Sequence, residues 1–229
     1  MRLKGKVALV TGGTRGIGLA IATAFREAGA SVVVAGRSAR GPEAVRGDVA
    51  RDAEKIVAGA FRKHGRLDVL VNVAGVSAPE AWTDDLDAVT PELWDRVMGT
   101  DLLGTFRVAR AAAKVMKRGK ILTVSSIPAL TGEREGIVYS IAKAGVLGMT
   151  KSLAMLLAPR IQVNAMAFGS IETGWVEWLP PGARKAYTEA IPLGRFGKPE
   201  EAAQLALFLA GNDWVTGQTY VLDGGESRI

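Results

Sequence analysis

The stretch that decides the fold is KVALVTGGTRGIGLAIATAF, residues 6–25. Its opening VALV is short and apolar throughout, as a strand buried on both faces must be. Its closing GLAIATAF continues as a helical pattern. Between them lie Gly12, Gly16 and Gly18, where a strand hands over to a helix and small residues let the backbone approach a pyrophosphate at the positive helix N-terminus. A glycine triplet alone is equally a tight turn. The strand before it and the helix after it favour the phosphate.

Outward from this stretch the same alternation repeats. ASVVVAG (30–36), LDVLVNVAG (67–75), KILTVSS (120–126), IQVNAMAFG (161–169) and GQTYVLDGG (217–225) are strand-like, and helix-length segments such as 52–65, 91–119, 139–158 and 199–211 separate them. Wholly apolar strands joined by helical crossovers predict a doubly wound parallel α/β sheet, Rossmann-like, in a single domain over 1–229. No internal repeat, low-complexity run or linker interrupts it. One crossover is short: only Arg37–Glu43, RSARGPE, lies between VVVAG and the strand-like AVRGDV. Seven residues span at most about 25 Å, enough to cross the sheet but not to supply a crossover helix as well. A loop in place of that helix leaves the adenine end of a bound nucleotide more exposed.

Composition narrows the chemistry. The 229 residues, 48% of them hydrophobic, suffice for one sizeable core, and with no cysteine there are neither disulfides nor thiolate metal sites nor a cysteine nucleophile. The only histidine, His64, precedes a glycine at a helix end, a capping position, so histidine triads and multi-histidine metal sites are not expected. The net charge of +6 favours anionic partners, but basic and acidic residues are interspersed, without the basic aromatic stripe of a nucleic-acid binder. No apolar run approaches the ~18 residues of a membrane span, and the start of the chain does not read as a signal peptide. The chain reads as cytoplasmic, with no nucleic-acid or membrane partner.

YSIAK, residues 139–143, places a phenol and an ammonium four apart, thirteen residues after Ser126. On a helix, positions i and i+4 share a face, so Tyr139 and Lys143 point the same way. A free phenol, with a pKa of about 10, is a poor acid–base group at neutral pH, and a nearby ammonium favours its ionised form. On the pentapeptide alone, a helix surface carrying both residues by chance is the simpler reading.

Taken together, TGGTRGIG (11–18), NVAG (72–75), Ser126 and YSIAK resemble the short-chain dehydrogenase/reductase family, and the match runs nearly the whole chain. The resemblance implies hydride transfer between a nicotinamide cofactor and a ketone or secondary alcohol, without a metal. Tyr139 would donate or accept the proton, Lys143 would tune it and bind the ribose, and Ser126 would hydrogen-bond the substrate oxygen. The cofactor would lie against Gly12, Thr14, Arg15, Gly16, Ile17 and Gly18, with its adenine at Asp48 and Val49, beside Asn72, Ala74 and Gly75, and its nicotinamide end near Gly169, Ile171 and Thr173. Arg15 and Arg37, with Gly36 where NAD-preferring relatives carry an acid, imply NADP, with NAD the alternative. Residues 172–195 would form a substrate lid, in which Trp175 and Trp178 line an apolar pocket or make a packing contact.

Within the family, the closing segments look most like 3-oxoacyl thioester reductases, with substrates carried on acyl carrier protein or CoA. Lys117 and Arg160 keep basic character where those enzymes meet an acidic carrier. Sugar, polyol and xenobiotic carbonyl reductases share the framework, and homotetramers are common. Three departures stand out: Val73 replaces an asparagine, Phe168 a proline, and Asp101 the asparagine of the catalytic tetrad. The resemblance implies that position 101 acts through its backbone carbonyl, by way of a water, with its side chain facing away. A nucleotide-binding sensor with impaired catalysis is the reading from another class.

Overall fold

The computed structural model describes residues 3–76 and 78–228. Seven parallel strands form one sheet: β1 (Val7–Thr11), β2 (Ser31–Gly36), β3 (Ala44–Arg46), β4 (Val69–Asn72), β5 (Gly119–Ser126), β6 (Ile161–Phe168) and β7 (Thr219–Leu222). Their spatial order is β3-β2-β1-β4-β5-β6-β7. Alternate residues serve opposite faces: Val7 and Leu9 of β1 join one buried cluster, Ala8 and Val10 the other. On the first face pack α2 (Ala53–His64), α4 (Thr105–Val115) and α6 (Ile137–Leu157). The second face takes α1 (Gly16–Glu27) and α8 (Pro199–Gly211). The shorter helices are α3 (Pro91–Val97), α5 (Pro128–Thr131) and α7 (Ala183–Ala190).

The sheet reverses its winding between β1 and β4, and ligands of open parallel sheets bind above such a point, at the carboxyl ends of the strands. Thr11 pairs with Asn72 and Asn72 with Thr123. β5 then runs three residues further, carrying Ser126 beyond the end of β4 to pair with Phe168.

The short crossover has no helix, and β3 is reduced to three residues where the sequence suggested AVRGDV. Two side chains at the end of α2 tether the loop instead. Lys63 donates to the Pro42 carbonyl, and His64 Nε2 lies 2.9 Å from Glu43 Oε2. The turn that ends α2 is made by Gly65, left-handed at φ 68° with its N–H on the Phe61 carbonyl. His64 therefore serves the crossover loop through its ring, while the cap falls to the glycine after it.

Residues 91–119 read as one helical pattern but break into three. Thr90 caps α3 by accepting the Leu93 N–H at 3.2 Å, with Pro91 at the first helical position. A π-helical segment, Met98–Gly104, then intervenes before α4. Such widened turns are uncommon and recur at functional sites. By length and composition α6 passes as a membrane span, yet it packs on β5 and β6 and buries Lys143 and Thr150 along its apolar stripe.

Candidate active site

The glycine loop after β1 is packed by backbone on backbone. A Cβ on Gly12 (φ +68°) would meet the Ala74 nitrogen at 2.9 Å, and one on Gly18 would meet the Gly12 carbonyl oxygen at 2.2 Å. Gly16 (φ +51°) leaves room for Thr173, whose Cγ2 would lie 3.2 Å from an added methyl. The loop thus needs glycine both for its backbone angles and for close approach. At its end α1 begins with no side-chain cap and no acidic residue in its first turn, leaving the helix's first N–H groups for an anion. These residues fit a dinucleotide pyrophosphate.

β5 and α6 place the second half of the site. The two serines of VSS divide their work: Ser125, buried, donates to the Lys143 carbonyl at 2.9 Å, while Thr123 and Thr150 meet at 2.7 Å about two turns further along α6. Both contacts pin α6 to the strand. Ser126, half-buried at the strand end, donates to the Phe168 carbonyl at a long 3.2 Å. On the first turns of α6, Lys143 Nζ sits 5.3 Å from the centre of the Tyr139 ring, which also meets Trp82, tilted, at 5.0 Å between centroids.

Asp101 departs from the expected arrangement. Its side chain turns inward from the π segment, fully buried, and Oδ1 lies 2.9 Å from Lys143 Nζ. Oδ2 accepts the Val76 N–H at 2.9 Å, whereas Oδ1 has no aligned hydrogen bond and relies on the ammonium alone. The Asp101 carbonyl already accepts the Thr105 hydroxyl at 2.8 Å. Burial works against the charge on Lys143, but the adjacent Asp101 carboxylate, helped by Tyr139, outweighs it and holds the ammonium above its ordinary range. A Lys143 donor also reaches the Val124 carbonyl at 3.3 Å.

Comparison with known proteins shows the family. The sequence family described as enoyl-(acyl carrier protein) reductase matches residues 12–227. The 3-oxoacyl-[acyl-carrier-protein] reductase FabG of Thermotoga maritima is 41% identical, over 98% of this chain and 99% of its own length. Its counterpart from Aquifex aeolicus is 38% identical, with 98% of each chain covered. Among solved structures, Thermoplasma acidophilum aldohexose dehydrogenase superimposes with a TM-score of 0.91 at 27% identity, over 99% of this chain and 96% of its own. The chain belongs to the short-chain dehydrogenase/reductase family. It is an NAD(P)-dependent oxidoreductase, similar over nearly its whole length to 3-oxoacyl-[acyl-carrier-protein] reductases.

Other residues that this dehydrogenase/reductase was expected to place at the cofactor are distributed between the cleft and its supports. Thr14 and Arg15 stand in the glycine loop, Thr14 beside Gly36; Arg15 and Arg37 are exposed. Ile17, in the first turn of α1, packs against the core of that face. Asp48 braces its own turn by accepting the Ala50 N–H at 2.9 Å, and the buried Val49 fills the space that a side chain on Gly104 would need. Asn72 is a brace as well, since its amide donates to the Thr105 carbonyl at 3.1 Å and accepts from Thr11 at 3.2 Å. Val73 packs against the core of the α1 face, and Phe168 is buried in it.

At the 169–173 turn, where the nicotinamide end was expected, the sequence reading missed Asp223 and Glu226. A Cβ on Gly169 would meet Asp223 Cβ and Glu226 Oε2, each at 2.6 Å, and Glu226 accepts both the N–H and the hydroxyl of Ser170 at 2.8 Å. Nothing in the terminal GGES marks that contact. In the 172–195 segment, Trp175 donates to the Ile171 carbonyl at 2.7 Å and sets its ring edge-on to Tyr187 and Phe196. Of the two tryptophans, Trp175 thus makes a packing contact. Lys117 and Arg160 lie at the opposite pole of the sheet from Ser126, at the amino ends of β5 and β6.

Proposed function

We propose that the chain is an NADP(H)-dependent reductase of 3-oxoacyl thioesters, with Tyr139 as proton donor. The observation that carries the reading is the Tyr139–Lys143 pair on the buried stripe of α6, beside the end of β5 where Ser126 stands. The glycine loop, Lys143 and the 169–173 turn would hold a nicotinamide cofactor, which would supply the hydride when bound. Tyr139 passes its phenolic proton to the carbonyl oxygen of the substrate, and Lys143 fixes the side from which it does so. Ser126 has only a long bond to give up, so its hydroxyl can turn to the same oxygen and stabilise the charge developing there.

Arg15 and Arg37 support NADP: both are exposed, neither forms an ion pair among the described residues, and Gly36 leaves no carboxylate to repel a 2′-phosphate. The carrier-bound substrate is supported by the basic pole, where Lys117 and Arg160, with Lys6 and Arg118, line a cleft of about 990 Å³. β5 separates that pole from Ser126 by roughly 23 Å. A carrier docked there needs an arm of at least that length, or serves the site of a second copy. A homotetramer fits the apolar hollow of about 590 Å³ formed by Met98, Leu102 and Leu103 of the π segment with Phe106 of α4 and Met149 of α6.

Asp101 favours a second reading, a dinucleotide sensor with impaired catalysis. Following NADPH and NADH oxidation over acyl thioesters, sugars and simple ketones decides between them. Rapid NADPH turnover with an acyl thioester is expected; no turnover with any carbonyl, alongside tight dinucleotide binding, would select the sensor.

A further inference from the structure

The ion pair between Asp101 and Lys143 is the feature that the reaction as described does not use. Both side chains are buried, with 0% and 5% of their surface exposed, and only 2.9 Å separates the charges. The contact is built in rather than incidental. The π segment aims residue 101 inward, its carbonyl is held by Thr105, Val76 donates to one carboxylate oxygen, and Gly75 lacks the Cβ that would strike the other at 2.6 Å.

We propose that Asp101 is a positioning residue that neutralises Lys143 and thereby keeps Tyr139 in its proton-donating form, fitting this chain to carbonyl reduction over alcohol oxidation. The proposal rests on the reading of Tyr139 as proton donor. An isolated ammonium near the ring would stabilise the phenolate by its full charge. With a carboxylate 2.9 Å away, the phenol meets a dipole, whose field falls off faster with distance than that of a charge. Oxidation needs the phenolate to take a proton from the alcohol, and reduction needs the phenol to give one. Suppressing the phenolate therefore extends reduction to higher pH and confines oxidation to alkaline conditions.

No other charge competes at close range. Of the groups on the elements packed around Tyr139, Glu80 pairs with Arg96 at 2.8 Å and Asp84 with Arg134 at 3.1 Å. Glu92, Asp95, Glu133, Glu135 and Lys151 are exposed and screened by solvent. Lys120 of β5 is buried too, but it lies at the amino end of that strand and is paired with Asp213 at 2.9 Å, so Asp101 and Lys143 are the buried charges beside the ring.

The test is Asp101→Asn, which keeps the shape and removes the charge. Tyrosinate absorbance is titrated in the cofactor-free protein, and a parallel Tyr139→Phe series isolates Tyr139 from Tyr187 and Tyr220. In Asp101→Asn the tyrosinate signal that Tyr139→Phe removes is expected to appear at lower pH than in the parent, as an unpaired ammonium nearby favours the ionised phenol. In the pH profile of kcat, the high-pH limit of reduction should move down by the same amount, and oxidation near neutral pH should rise roughly tenfold. A structural role alone moves neither. Should Asp101→Asn not fold, Asp101→Ser takes its place. An unmoved tyrosinate signal with unmoved limits overturns the proposal, whereas full turnover by Tyr139→Phe would overturn the reading beneath it.

Discussion

A Cβ built on Gly75 would stand 2.6 Å from Asp101 Oδ1 and 3.6 Å from Lys143 Nζ. The glycine of NVAG is therefore a space held open for a carboxylate and an ammonium. Neither neighbour can yield easily, because Oδ2 is fixed to the Val76 N–H and both side chains are buried. Gly75→Ala should cost about 1–3 kcal/mol as an overpacking change. That lowers Tm by roughly 2–12 °C for a chain of this size. Adding Asp101→Ser removes the atom that is struck, so the double variant should recover part of the loss. Thermal unfolding of the three variants checks it; strictly additive losses would show that Gly75 is needed for another reason.

Tyr139→Phe isolates the proton. The ring keeps its place against Trp82 and over Lys143, so packing survives. Turnover should fall by about 100-fold or more with cofactor affinity retained. Ser126→Ala should lose about 3 kcal/mol of transition-state stabilisation, the scale of one oxyanion donor. Lys143→Ala should damage both binding and turnover, and also strand Asp101 as a buried, unpaired carboxylate. Steady-state kinetics with a cofactor-binding titration separate these outcomes.

What the sequence disclosed followed from backbone chemistry. The glycine loop, the parallel sheet and the one-turn spacing of Tyr139 and Lys143 are fixed by periodicity and by residues with few conformational options, and all lie where the reading placed them. The short crossover was legible for the same reason, as a count of residues against a distance. The inward turn of Asp101 was not. It depends on a π segment inside an unbroken helical pattern, and on which of two neighbours the side chain finds, neither of which leaves a periodic trace. His64 and Glu226 are similar, since their partners Glu43 and Ser170 are 21 and 56 residues away.

Cofactor choice tests the positive edge of the cleft. Arg37 follows β2 directly, exposed and with no ion pair among the described residues; its carbonyl accepts from Arg46 Nε at 3.0 Å, which steadies the backbone there. Arg37→Glu places a charge where a 2′-phosphate would lie. NADPH binding should weaken about 10–100-fold, with NADH binding little changed. Calorimetry with both cofactors provides the comparison, and equal losses for the two would remove Arg37 from the phosphate site.

One contribution to acid sensitivity lies at the start of α8. Glu201 receives both guanidinium nitrogens of Arg195, at 2.9 and 2.7 Å, and its side chain reaches back to accept the Lys198 N–H at 2.7 Å, the half of a capping box that a lysine at the N-cap permits. The Arg195 guanidinium, with the Lys198 amide behind it, holds the Glu201 carboxyl down from 4.5 to about 2. Because the folded value is depressed, the stabilisation is fully present above pH 4.5 and fades as pH falls towards about 2. Both side chains are partly exposed, so screening keeps the effect near that of a lost cap, about 1 kcal/mol. Glu201→Gln should therefore lower Tm by roughly 2–4 °C at neutral pH. The gap between variant and parent should close as the acid is approached. Tm measured against pH for both proteins gives that difference directly; a gap that stays constant down to pH 2 would assign the loss to cap geometry rather than to charge.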